Sequence, residues 1–280
     1  MADIILSAFS DEYATPFQAQ LAAMRELGIG YIEPRFLDGK NVSALTREEK
    51  RVAKARLDEY GIRASAIGSP LGKIKLDGDM AAHLAQAESV FETANLFGAK
   101  YVRVFSFYAP DGKDIGEMTG EVLSALEGLV TLARGYGVTL CHENEAGIYG
   151  STPDRIRTLL DHFGGELRCV YDMGNYVLEG VDPLAAYPAF QRDIAYFHIK
   201  DALAAGAIVP PGKGEAKIGE ILSLHKEYAG EDFFVSLEPH LECFSGRNAL
   251  VGRTFENPYK YEDERAAFTD AVEKFKELMT

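Results

Sequence analysis

Cysteine is scarce in this chain and basic residues are outnumbered, and each shortage removes a class of function. Three cysteines, Cys141, Cys169 and Cys243, are too few for a disulfide framework, and none forms a C-x-x-C pair. An oxidising compartment and a structural zinc knot are therefore not indicated, and the three read as buried thiols at or near strand ends. Lysine and arginine number 29 against 43 aspartates and glutamates, a formal charge of −14. A surface of that sign repels nucleic-acid phosphates and anionic headgroups, so neither nucleic acid nor a membrane surface is an expected partner. No apolar run approaches the roughly 18 residues of a membrane helix. The opening stretch Met1-Ala2-Asp3-Ile4-Ile5-Leu6-Ser7 has no basic segment ahead of a long apolar run, so a secretory signal is not expected and the expected location is cytoplasmic. There is also no low-complexity or Pro/Gly/Ser linker to divide the chain. One domain over residues 1–280 is expected.

What is present is alternation. Strand-like runs at 3–9, 30–36, 62–67, 100–107, 138–143, 167–172, 194–199 and 233–238 alternate with helical patterns at 16–27, 46–60, 80–97, 117–136, 153–163, 183–190, 217–227 and 261–279. Glycines stand before several strands, among them Gly61, Gly98 and Gly137, where a left-handed helix cap is needed before a tight turn. Eight β/α units in 280 residues predict a (β/α)8 TIM barrel, which needs about 250. A doubly wound open sheet has the same alternation, but no G-x-G-x-x-G follows an early strand.

The chemistry-bearing residues gather at strand ends. Strand five ends His142-Glu143-Asn144-Glu145, strand six Tyr171-Asp172-Met173-Gly174-Asn175, strand seven His198-Ile199-Lys200-Asp201, and strand eight Leu237-Glu238-Pro239-His240. Parallel strands lie about 4.8 Å apart, so inward side chains at neighbouring ends converge. Glu143, Asp172, His198 and Glu238 offer three carboxylates and one imidazole, a mostly hard donor set. It suits one divalent metal ion, Mn2+ first, then Mg2+ or Co2+, with Zn2+ also compatible. Without a cation, three carboxylates this close repel and some must hold protons.

These motifs resemble those of the sugar phosphate isomerase/epimerase superfamily, the xylose-isomerase-like barrels that include ketose 3-epimerases, hydroxypyruvate isomerase, inosose dehydratase and endonuclease IV. The resemblance runs over nearly the whole chain and includes the glycine-rich turn Pro211-Gly212-Lys213-Gly214-Glu215. It implies Glu143, Asp172, His198 and Glu238 as metal ligands, with Glu143 and Glu238 also the acid/base pair. It implies a small keto-sugar substrate, phosphorylated or not, and a homo-oligomer. The reaction would be proton abstraction beside a carbonyl, giving epimerisation or isomerisation through an enediolate. Dehydration of an inosose-like keto-polyol, or sugar binding without turnover, are the alternatives. Many relatives carry histidine three residues after the strand-six aspartate; Asn175 stands there, and an amide cannot shuttle a proton.

Around this set, Lys200 shares strand parity with His198 and is placed to meet a sugar oxygen. Glu145, His240 and Asn175 are expected substrate contacts, and Arg35 a holder of an anionic group. His142 has the opposite parity and faces the helices. Arg103 lies inside strand four, where a charge must be paired, and Glu33 is its expected partner.

Overall fold

The structure is a computed structural model and describes residues 2–241 and 258–280. Eight parallel strands form a ring: β1 (Ile4–Ala8), β2 (Tyr31–Ile32), β3 (Arg63–Ala64 and Ala66–Ile67, interrupted at Ser65), β4 (Tyr101–Val104), β5 (Thr139–Glu143), β6 (Leu167–Asp172), β7 (Ile194–Ile199) and β8 (Phe233–Leu237). Seven of them make one sheet in the order β1-β8-β7-β6-β5-β4-β3. Strand β2 pairs with the first half of β3, Tyr31 opposite Arg63. On its other side the Glu33 N–H donates to the Ala8 carbonyl at 2.9 Å, which closes the circle. The expected (β/α)8 barrel is therefore the observed one.

Two strands are shorter than their apolar runs. Strand β2 stops at Ile32 because Pro34 follows and lacks an N–H for the ladder. Strand β4 ends at Val104, and the Phe105 and Phe107 N–H groups donate to Leu71 and Gly72 carbonyls. A Cβ at Gly72 would run into the Phe105 carbonyl, so this approach needs glycine.

The helices of the outer ring are α1 (Phe17–Glu26), α2 (Arg47–Tyr60), α3 (Met80–Phe97), α4 (Thr119–Tyr136), α5 (Pro153–Phe163), α6 (Met173–Leu178), α7 (Pro183–Ala186), α8 (Ile218–Tyr228) and α9 (Glu264–Leu278). Thr46 and Glu49 form a reciprocal capping box at the start of α2. Gly61, Gly98 and Gly137 end α2, α3 and α4 in the left-handed region, as their positions predict. The main core lies between strands and helices and includes Leu21, Phe91, Leu126, Leu160 and Phe197. A smaller cluster of Ala66, Cys141, Val170, Ala195 and Tyr196 fills the ring itself. Cys141 and Cys169 are buried and unpaired, while Cys243 lies outside the described residues.

Candidate active site at the C-terminal end of the barrel

Each of β5 to β8 is an apolar run that delivers one ionisable group at its C-terminal end. Strand register sets their heights: His198 lies beside Asp172 on one side and Ser236 on the other. Glu143, Asp172, His198 and Glu238 are all buried, at 1, 0, 0 and 3% exposure. One ligand atom from each lies within 4.8 Å of all the others. The His198 Nδ1 stands 2.9 Å from Glu143 Oε1, 3.3 Å from Glu238 Oε2 and 4.0 Å from Asp172 Oδ2. The four residues expected to converge do so.

The imidazole is held from behind. Its Nε2 lies 3.1 Å from Glu33 Oε2, and the Tyr196 hydroxyl donates to Glu33 Oε1 at 2.9 Å. A carboxylate on the far nitrogen fixes ring orientation and leaves the near nitrogen for a ligand, an arrangement common around metal-binding histidines. Three convergent carboxylates and an imidazole so oriented fit a divalent cation.

Cations already thread this cluster. Lys200 Nζ donates to Asp172 Oδ2 at 2.9 Å, Glu238 Oε2 at 3.1 Å and Asn175 Oδ1 at 3.2 Å. Arg103 Nη1 donates to Glu143 Oε2 at 3.0 Å and lies 3.5 Å from Glu238 Oε1. Arg35 meets Asp11, Glu12 and Glu238 at 2.9, 3.1 and 2.8 Å, and its guanidinium covers the Phe9 ring. Burial opposes ionisation of Glu143, but His198 and Arg103 hold its carboxyl well below the usual range. Burial acts the same way on Glu238, where Lys200, His240 and His198 prevail. Asp172 goes the other way: burial pushes it up to about 7, only partly offset by Lys200. Burial opposes the charge on His198, and Glu143, Glu33 and Glu238 raise it well above the ordinary value.

The cluster opens into a cavity of about 580 Å3 at the barrel mouth, lined among others by Arg35, Tyr108, Glu145, Asn175, Lys200 and His240. Every residue expected to contact substrate therefore faces one space. Glu145 pairs there with Lys73 at 3.1 Å. His240 adopts a positive φ of 47°, and its N–H donates to Glu12 Oε2 at 2.7 Å. Arg35 does not stand ready for a ligand anion alone, since three carboxylates already share it. His142 lies outside the ring, 2.9 Å from the Ser106 hydroxyl, as its parity requires. His83 and His225 bond to the Gly72 N–H and the Tyr187 hydroxyl, away from the cluster.

One expected pairing is corrected. Arg103 pairs with Glu143 rather than Glu33, because Glu33 follows the short β2 and is drawn to His198 and Tyr196. Three further roles are absent from the sequence reading. Asn144 clamps β6 by exchanging two hydrogen bonds with the Asp172 backbone, at 2.8 and 3.0 Å. Asp201 accepts from the N–H groups of Ala202, Gly212, Gly214 and Ala216. It thereby ties the glycine-rich turn to the end of β7, and a Cβ at Gly214 would run into it. The third is helix α6, which falls between the strand-like run at 167–172 and the helical pattern at 183–190; Asp172 caps it through the Asn175 N–H. The E-N dipeptide and the K-D followed by a glycine-rich turn were the available signals for the first two.

No curated protein matches the chain by sequence. Among solved structures, it is similar to a xylose isomerase-like TIM barrel protein from Mycobacterium smegmatis in complex with magnesium, at 19% identity and TM-score 0.71, over 100% of this chain and 97% of the other. It is also similar to the IolI protein with a binding zinc atom, at 16% identity and TM-score 0.72, over 98 and 97% of the two chains. A third, 3-keto-D-glucoside 4-epimerase YcjR from E. coli, is 14% identical with TM-score 0.72, over 99 and 100%. The family model for xylose isomerase-like TIM barrels matches residues 21–272, and the chain belongs to that family.

Proposed function

We propose that this chain is a divalent-metal-dependent isomerase or epimerase of a small keto-sugar. The observation that carries the reading is the convergence of four buried donor atoms, from Glu143, Asp172, His198 and Glu238, within 4.8 Å beneath an open cavity. Solved structures of the same fold with magnesium and with zinc support a bound cation, with Mn2+ or Mg2+ the first choice for a carboxylate-rich set. Bound there, a dication supplies Lewis-acid stabilisation of negative charge on the substrate carbonyl and its neighbouring hydroxyl.

The chain's own groups divide the remaining work. Glu143 and Glu238 are the acid/base pair: one takes the proton beside the carbonyl and the other returns one. Arg103 touches both carboxylates and holds their spacing. Lys200, beside Glu238 and Asn175, donates to a substrate oxygen as charge develops on it. Asn175 orients a hydroxyl through its amide, and Glu145 and His240 face the distal part of the substrate. Return of the proton to the same carbon is epimerisation, and return to the neighbouring carbon is aldose–ketose isomerisation. Dehydration is the second reading, favoured by the Lys200 ammonium next to Glu238, where a departing hydroxyl would find a proton.

The test is exchange of carbon-bound protons into deuterated water, followed by NMR, over a panel of ketoses with the metal-loaded protein. Exchange that is lost in both Glu143→Gln and Glu238→Gln is expected. Exchange that survives at wild-type rate in either variant would remove that glutamate from the pair.

A further inference from the structure

The opposite end of the barrel carries a second crevice of about 610 Å3, lined by Arg63, Lys100 and Arg168, by Arg192, which pairs with Asp161 and Asp193, and by two carboxylates, Glu231 and Asp232. In a chain of charge −14, this local excess of cations is against the trend. It also lies where a barrel interior is ordinarily plugged by layers of bulky aliphatic side chains. Here the packing above it is Ala66, Cys141, Val170 and Ala195 around one large ring, Tyr196, with Tyr101 and Phe234 against them.

Arg168 is the unusual residue. It shares the inward face of β6 with Val170 and Asp172, so its half-buried side chain enters the floor of the ring. Its Nε and Nη2 donate to the Asp193 and Ile194 carbonyls at 2.9 and 2.7 Å. These bonds fix the plane of the guanidinium and, among the described residues, leave Nη1 without a hydrogen-bond partner. Among the described residues, no carboxylate lies within 4.0 Å of Arg168, Arg63 or Lys100. A guanidinium drawn half out of water without counter-charge is a cost to the fold. The two rim cations are also held in place: Arg63 covers the Tyr31 ring at 4.2 Å and Lys100 stands 5.5 Å from the Tyr101 ring. Tyr31 in turn packs edge-on against Phe234.

We propose that this floor crevice is an anion-binding site for a small molecule bearing a phosphate or carboxylate group. Arg168 Nη1 meets the anion, Arg63 and Lys100 complete its charge at the rim, and the organic part lies against Tyr31, Tyr101 and Phe234. The site is separate from the mouth and does not depend on the reaction proposed there.

Isothermal titration of the full-length, metal-loaded protein with inorganic phosphate, phenyl phosphate and benzoate tests this. Binding of at least one probe is expected, weakened about tenfold or more by Arg168→Gln, the loss typical of one charge-assisted contact. The exposed double variant Arg63→Ala/Lys100→Ala should weaken it similarly, and it decides the matter should Arg168→Gln fail to fold. Lys73→Gln, which alters the mouth, should leave it unchanged. Binding of phenyl phosphate alone would assign a phosphate ligand, and of benzoate alone a carboxylate. Absence of binding by all three probes, insensitivity to the floor variants, or loss in Lys73→Gln would overturn the proposal.

Discussion

The two ends of this barrel are built from the same strands and reach opposite electrostatic solutions. At the C-terminal end, Glu143, Asp172 and Glu238 are buried and every one touches a cation of the chain, Arg103, Lys200 or Arg35. At the N-terminal end, Arg63, Lys100 and Arg168 have rings and backbone carbonyls for neighbours. A buried network in which each charge is compensated is rigid but fails when a single member is removed. A half-open set of uncompensated cations contributes little to the fold and is free to take a ligand. Mutations should therefore hurt at the top and be tolerated at the floor.

The largest effect is expected at the proposed acid/base pair. Glu143→Gln and Glu238→Gln should each lower turnover by about 10²–10⁴-fold, measured by proton exchange, with circular dichroism unchanged. Next comes the network itself. Arg103→Met leaves Glu143 facing Glu238 with less counter-charge and should cost about 3–5 kcal/mol of stability without metal. Added Mn2+ should recover much of that loss, which thermal melts with and without the ion would show. Asp201→Asn removes acceptor charge from four backbone N–H groups and should cost about 1–3 kcal/mol, with a rise in KM from a loosened turn.

A pH dependence sits at the floor, where His225 lines the crevice. His225 is buried at the Tyr187 hydroxyl, and burial pushes it from 6.5 down to about 4. A depressed histidine means the unfolded chain takes up protons first, so its contribution to stability is full above 6.5 and fades as pH falls toward 4. Urea melts across that window should show stability falling, and His225→Gln should flatten the slope. The smallest effect is expected at the floor, where Arg63→Ala/Lys100→Ala should move stability by no more than about 0.5 kcal/mol.

Much of the top end was legible because each of the four converging residues ends an apolar run, and strand parity places it inward. The fold was legible from eight alternations with glycine caps such as Gly61 and Gly98. The partner of Glu33 was not. Parity puts both Glu33 and Arg103 inside the ring, but height along the axis decides contacts, and Pro34 cuts β2 short. Helix α6 is only six residues, Met-Gly-Asn-Tyr-Val-Leu, too short for a periodicity to register and weakened by its glycine. The floor was hidden for another reason: the register of β6 against β7 shifts between Ile194 and Tyr196. Counting by twos from His198 does not carry through that irregularity, and the hollow beneath it exists only once the ring has closed.

The central claim is that the four strand-end residues hold a metal, and elemental analysis of purified wild type and Asp172→Ala addresses it most directly. Stoichiometric dication in the wild type, lost in a variant that stays folded by circular dichroism, is the predicted result. Wild-type protein that retains none of Mn2+, Mg2+, Co2+ or Zn2+ after each is supplied, or a variant that binds as well as wild type, would contradict it.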